Sequence, residues 1–173
     1  MNELNDKNFG YLIAYVLPGF VLLLQLGDFS PAIRGWMHAS ASTAPTIGGF
    51  LFATLASIAL GLLLSTIRWA VLDSVHRHTG LAAPKLNFGK LQSHSDAWDR
   101  LVQYHYRYYQ FYGNSLVTLV ICAAVPGAIW RWFDLHPVLT SCGITALGLL
   151  LFVASRDSLR KYDQRAAAML AGR

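Results

Sequence analysis

The aspartates and histidines in the middle of this chain are the residues whose types and spacing come nearest to chemistry. Asp73 and His76 stand three apart, a spacing that puts them on one face of a helix, whereas His78 stands two beyond His76 and points away from it. The two histidines therefore cannot chelate one ion from a helix. Asp96, Asp99, His94 and His105 would have to approach from the following segment to complete a metal or acid–base site. No motif fixes that arrangement. The simplest reading of these histidines is solvated or structural, and the sequence assigns no catalytic, cofactor-binding or metal-ligating residue.

Arg100 and His105 match the Arg-x4-His spacing of ribonucleases of the HEPN class, a resemblance carried by two residues. Arg131 and His136 repeat the spacing, which shows how readily a chain containing both residue types produces it. The sequence holds no P-loop, no Gly-x-Ser-x-Gly, no His-Glu-x-x-His and no Cys-x-x-Cys. An enzyme acting at the inner membrane surface is thus only a third reading of the function. It would require Asp73, His76, Asp99 and His105 to share one cleft.

The elements that must position these residues are helices. Four apolar stretches, residues 9–26, 47–67, 111–130 and 138–155, contain no Asp, Glu, Lys, Arg or His. At 1.5 Å rise per residue each matches a hydrocarbon core of ~30 Å. Mean hydropathy is +0.38, and charged residues make up 13% of the chain, about half the roughly 25% usual for soluble domains. The expected fold is all-α: one polytopic helical membrane domain over residues 1–173, with four transmembrane helices and cytoplasmic helical extensions.

Basic residues fall on alternate connections. Lys7 precedes the first stretch, six basic residues from Arg68 to Arg107 separate the second from the third, and Arg156, Arg160, Lys161, Arg165 and Arg173 follow the fourth. Only Arg34 and Arg131 occupy the other two connections. The positive-inside rule then places both termini and the 68–110 segment in the cytoplasm of a plasma (inner) membrane protein. The first stretch is expected to be retained, because it exceeds a usual signal h-region and the small residues near Ala39 lie too far downstream. The net charge of +5 is explained by orientation and lipid head groups; nucleic acid is not an expected partner, and no cofactor is expected.

Within the second stretch Gly49, Ala53, Ser57, Gly61 and Ser65 recur every fourth residue, a ridge of small side chains that lets another helix approach closely, in this chain or in a homo-oligomer. Pro18-Gly19 and Pro126-Gly127 predict kinks. No ionisable group lies near the membrane midplane, which disfavours a secondary transporter. A small oligomeric pore or membrane-perturbing effector remains a second reading.

The 68–110 segment reads as a helical hairpin built from extensions of two spans. Its first arm runs to a stop at Gly80, and its second starts at the Ser-x-x-Asp pattern of Ser93 and Asp96. Tyr104, Tyr108 and Tyr112 share a face of that second arm, as an aromatic belt or a platform for a partner. Residues 156–171 form an amphipathic helix with an apolar stripe of Leu159, Tyr162, Ala166 and Met169. The expected interaction surface joins Arg100, Tyr104, His105, Arg107 and Tyr108 to that stripe. The leading expectation is accordingly a non-catalytic interaction or accessory subunit that presents its cytoplasmic hairpin to a cytosolic or membrane partner. A reporter fused after Arg173 or inserted near Gly89 should register the cytoplasm and one near Ser40 the outside; cytoplasmic labelling at Ser40 overturns the four-span topology.

Overall fold

The computed structural model describes residues 10–37, 47–125 and 137–170. The described residues are helical and include no strand. They form α1 (Leu12–Gly27), a short α2 (Pro31–Met37), α3 (Ile47–His78), α4 (95–124) and α5 (Pro137–Leu170), with a 3-10 turn, Phe88–His94, leading into α4. α1 packs against α3 and α4, and α4 packs against α5, so the helices make one bundle. Among the described residues, α3 and α5 are the two helices long and apolar enough to cross a membrane, while Leu12–Gly27 is a shorter apolar helix. Phe9 at the inner end of the expected first span and the outer end of the third, with Pro126-Gly127, Trp130 and the Arg131–His136 pair, fall outside the described residues.

The ridge of small residues meets α1. Ser57 and Gly61 are buried, while Gly49, Ala53 and Ser65 are half-buried. A β-carbon on Gly61 would collide with the backbone of Tyr15, and one on Gly19 with the carbonyl of Ser57. Glycine is needed on both sides of this crossing because backbone meets backbone there. Pro18 acts in the same place. It removes the amide that would bond to the carbonyl of Ala14 in a regular helix, and a π turn, Leu12–Val16, immediately precedes it. The freed carbonyl is not left bare, since Asn114 Nδ2 reaches across from α4 and donates to it at 2.8 Å.

Two further π turns, Trp69–Asp73 and Val102–Tyr106, interrupt α3 and α4. Nothing in the hydrophobic pattern foretells them. On a regular helix residues five apart point about 140° away from each other; the extra residue of a π turn brings them back to one face. α3 ends with Gly80 in a left-handed conformation (φ 100°), as the sequence predicts, and Arg156 from α5 donates to the carbonyl of Thr79 at 2.7 Å, where a cation suits a helix C-terminus. The start of α4 differs from expectation. The helix begins at Ser95 without a side-chain cap, because Ser93 is taken up in the preceding 3-10 turn, where its hydroxyl donates to the carbonyl of Lys90. At the other end, Arg34 of α2 donates to the carbonyls of Gly27 and Asp28, which gives this basic residue a local task at the end of α1. Replacing Gly61 by Leu should cost ~1–3 kcal/mol, as overpacking of a close contact does, whereas Leu62→Ile on the exposed face should change little; equal melting temperatures for the two variants in detergent would show that the ridge is no interface.

Candidate functional site

Asp73, His76 and their neighbours lie at the junction of α3, α4 and α5, and each is engaged inside the protein. The π turn Trp69–Asp73 carries Asp73 back under Arg68, five residues earlier, and Arg68 Nη1 donates to Asp73 Oδ1 at 2.9 Å. The Arg68 side chain is only 3% exposed. Tyr109 of α4 donates its hydroxyl to the same carboxylate oxygen, and its ring lies 4.6 Å from the Arg68 guanidinium carbon. Gly113, one turn further along α4, makes room for the arginine stem, since a β-carbon there would meet Arg68 Cδ at 2.5 Å.

His76 is fully buried. Its Nε2 lies 3.2 Å from the hydroxyl of Ser155 on α5, and its ring packs against Phe152 with centroids 5.1 Å apart. His78, by contrast, turns back onto the carbonyl of its own helix at Ser74. Asp73 and His76 are therefore structural ties, and among the described residues no group of three or more His, Cys, Asp or Glu could hold a metal ion.

α4 contributes a ladder of polar groups aimed at α1. Arg107 is buried with its guanidinium carbon 3.6 Å above the ring of Tyr11, a cation–π contact in a desolvated setting. Gln110 donates to the Tyr15 hydroxyl at 2.8 Å, and Thr118 donates to the carbonyls of Asn114 and Pro18. Arg107 thus stands apart from the surface where its basic character suggested it would be found. Leu159 and Ala166 also face inward, and both are buried. Tyr162 is half-buried between Trp98 and Tyr106, at centroid distances of 5.9 and 5.0 Å, and burial pushes its hydroxyl up to about 12. Leu159, Tyr162 and Ala166 of the α5 stripe thus pack inside the chain, while Met169 stays half-buried at its end. Tyr108 remains outside, near Tyr112.

What stays open is a groove of about 620 Å³ between the start of α4 and the end of α5. Ala97, Leu101, Ala168 and Met169 supply its apolar surface; Asp96, Arg100, Tyr104, His105 and Arg165 supply the rest. Arg100 and His105, five residues apart, both line it because the π turn Val102–Tyr106 lies between them. Arg165 Nη1 donates to His105 Nε2, so the imidazole presents a lone pair and is neutral in this contact. Burial, and then the positive charges of Arg165 and Lys161, hold His105 below its ordinary value of 6.5. The sequence does not single out Ala97, Leu101, Ala168 or Arg165, and of these Arg165 is the charged one. It lies on the hydrophilic flank of the α5 stripe, and only the pairing of the two helices reveals that it faces His105. No family matches the chain, and neither a curated protein nor a solved structure matches it.

The Asp73 cluster makes a quantitative statement about folding. Asp73→Leu strands the buried Arg68 charge and should cost on the order of 3 kcal/mol; the Arg68→Met, Asp73→Leu double variant should recover a large part of that loss in chemical unfolding. A double variant no more stable than Asp73→Leu would show that the pair does not act as a unit.

Proposed function

We propose that this protein is a four-span membrane protein with both termini in the cytoplasm, and that it works without catalysis as an interaction or accessory subunit offering the α4–α5 groove to a partner. The membrane part of this reading is supported by what α3 and α5 leave uncovered. Only 17% of the most apolar window of either helix is buried within the bundle, whereas the core helix of a soluble protein would be mostly covered. Phe50, Leu55, Leu63, Leu149, Leu150 and Val153 are each 60% exposed or more, and apolar area left in water costs about 25 cal/mol per Å². A lipid environment removes that cost. Residues 9–26 and 111–130, apolar along their length, supply the other two spans, and the distribution of Lys and Arg supplies the orientation.

The non-catalytic part rests on how the ionisable groups are arranged. Asp73 is committed to Arg68 and Tyr109, and His76 to Ser155, while His105 opens onto a different surface with Arg165. An acid–base site needs such groups around one cleft. A pore needs a continuous polar lining, yet Asn114 and Thr118 donate to the backbone of α1 and Ser57 to the carbonyl of its own helix. The observation that carries the proposal is the groove itself. It brings together exposed cationic and aromatic side chains over an apolar floor, at the end of the bundle that the distribution of Lys and Arg assigns to the cytoplasm.

A photo-crosslinking residue at Tyr104, which is 63% exposed, should give a discrete protein adduct in intact cells and lose it when Arg100 is changed to Glu. The same probe at Leu149 should label lipid. A Tyr104 probe that yields only lipid adducts, or ion conductance from the purified protein in a planar bilayer, would overturn this reading.

A further inference from the structure

We infer that the α4–α5 groove docks an acidic amphipathic helix carried by a partner on the cytoplasmic side; the inference rests on the proposed function and specifies the chemistry of the partner. The groove is elongated. Its α4 wall runs from Asp96 to His105, about 13 Å at 1.5 Å per residue, which is the length of two to three helical turns. The lining residues 97, 100, 101, 104 and 105 recur along one face of α4, and α5 adds Arg165, Ala168 and Met169 from an antiparallel neighbour. Two helices side by side leave a trough that receives a third, its anchors repeating at i, i+3 or i+4, and i+7.

The floor suits an apolar helix face. Ala97 and Ala168 are short enough to let a backbone approach, Leu101 is buried beneath, and the thioether of Met169 adapts to the side chains laid on it. The walls decide the sign of the partner's charge. Among the described residues Arg100 makes no ion pair, and Arg165 donates to the Nε2 lone pair of His105 rather than to a carboxylate. Lys161 stands close by on α5, engaged with Asp157. Asp96 is the one acid in the lining, one turn before Arg100 on α4, and it is outnumbered by the two arginines. Two guanidinium groups flanking an apolar trough fit carboxylates flanking an apolar helix face, each able to receive a charge-assisted, bidentate hydrogen bond.

An anionic phospholipid is the rival occupant, and distance argues against it. On the proposed topology the fourth span ends at Ser155. Arg165, the first groove residue on α5, is ten residues further along a continuous helix, about 15 Å at 1.5 Å per residue. The head-group region adds only roughly 5–7 Å to each side of the hydrocarbon core. The groove therefore opens below the head groups, in the aqueous phase.

The test uses the full chain in nanodiscs of zwitterionic phosphatidylcholine. Fluorescence anisotropy is measured with two labelled helical peptides that share a Leu/Ala face, one flanked by Glu and one by Lys. The Glu peptide should bind about tenfold or more tightly than the Lys peptide, and added salt should weaken it. In the Arg100→Glu, Arg165→Glu variant the preference should reverse; both residues are exposed, and an unchanged melting temperature confirms the fold. Ala168→Trp, which fills the trough, should abolish binding of both peptides. Equal binding of the two peptides, an unreversed preference in the charge-swapped variant, or, in a parallel set of nanodiscs containing phosphatidylglycerol, loss of the Glu-peptide binding to competing lipid would each overturn the inference. If the peptide test fails while the Tyr104 crosslink to a protein persists, the acidic-helix inference falls and the interaction reading stands; if both fail, the reading falls with it.

Discussion

Asp73 is the residue on which the junction of the bundle depends. Its carboxylate accepts from Arg68 on its own helix and from Tyr109 on α4, so a single group neutralises a buried cation and joins two helices. A buried ion pair is not by itself a large source of stability, because taking both charges out of water offsets most of their attraction. The geometry is what the pair supplies. Arg68 can lie at the end of the apolar part of α3 only if a carboxylate meets it, and the carboxylate five residues later can meet it only through a π turn. Gly113 completes the requirement by leaving space for the arginine stem. Three local irregularities, a π turn, a missing β-carbon and a buried charge, are therefore one solution to one packing problem.

The same logic joins α1 to its neighbours. Pro18 and Gly19 let α1 come close to Ser57 and Gly61, at the cost of a backbone carbonyl without its usual amide. In a lipid-surrounded bundle such a group has no water to turn to. Asn114 meets the carbonyl of Ala14, while Gln110 and Thr118 meet the Tyr15 hydroxyl and the Pro18 carbonyl. Polar residues on α4 that would suggest a conducting path are spent on α1. The helix pair that packs by small residues and the helix pair that packs by hydrogen bonds thus share the same segment of α1.

Much of the architecture was legible because it depends on periodicity. The spacing of Ser57 and Gly61 marks a close-packing face, and the spacing of Leu159 and Ala166 marks a buried one. What periodicity cannot show is which partner a face meets. The α5 stripe could have served another protein as well as α4, and only the assembled bundle shows Leu159 and Ala166 buried and Tyr162 packed against Tyr106 and Trp98, with Met169 left at the groove. Arg107 is expected on the surface because its helix emerges where cations meet anionic head groups or an acidic partner, yet Tyr11 offers its ring face and Gly10 leaves space beside it. Arg165 was passed over for the opposite reason, since an arginine on a polar flank resembles any solvated charge. The π turns were invisible, for a single inserted residue leaves the hydrophobic pattern nearly unchanged while rotating everything that follows by about 100°.

That rotation also bears on how the chain divides its ionisable residues. Near the ends of the apolar stretches, where desolvation is most expensive, Arg68, His76 and Arg107 are each buried against a specific group: a carboxylate, a hydroxyl or an aromatic face. Farther from the apolar region, the π turn of α4 brings Arg100 and His105 onto a common surface beside Arg165. Two of the three π turns thus serve different ends by one device. In α3 the extra residue closes a charge pair inside the bundle; in α4 it sets Arg100 beside the His105–Arg165 hydrogen bond on the outside, where water reaches the guanidinium groups. On the proposed function, Arg100 and Arg165, held in register by rigid helices over an apolar floor, are the groups that a partner would meet.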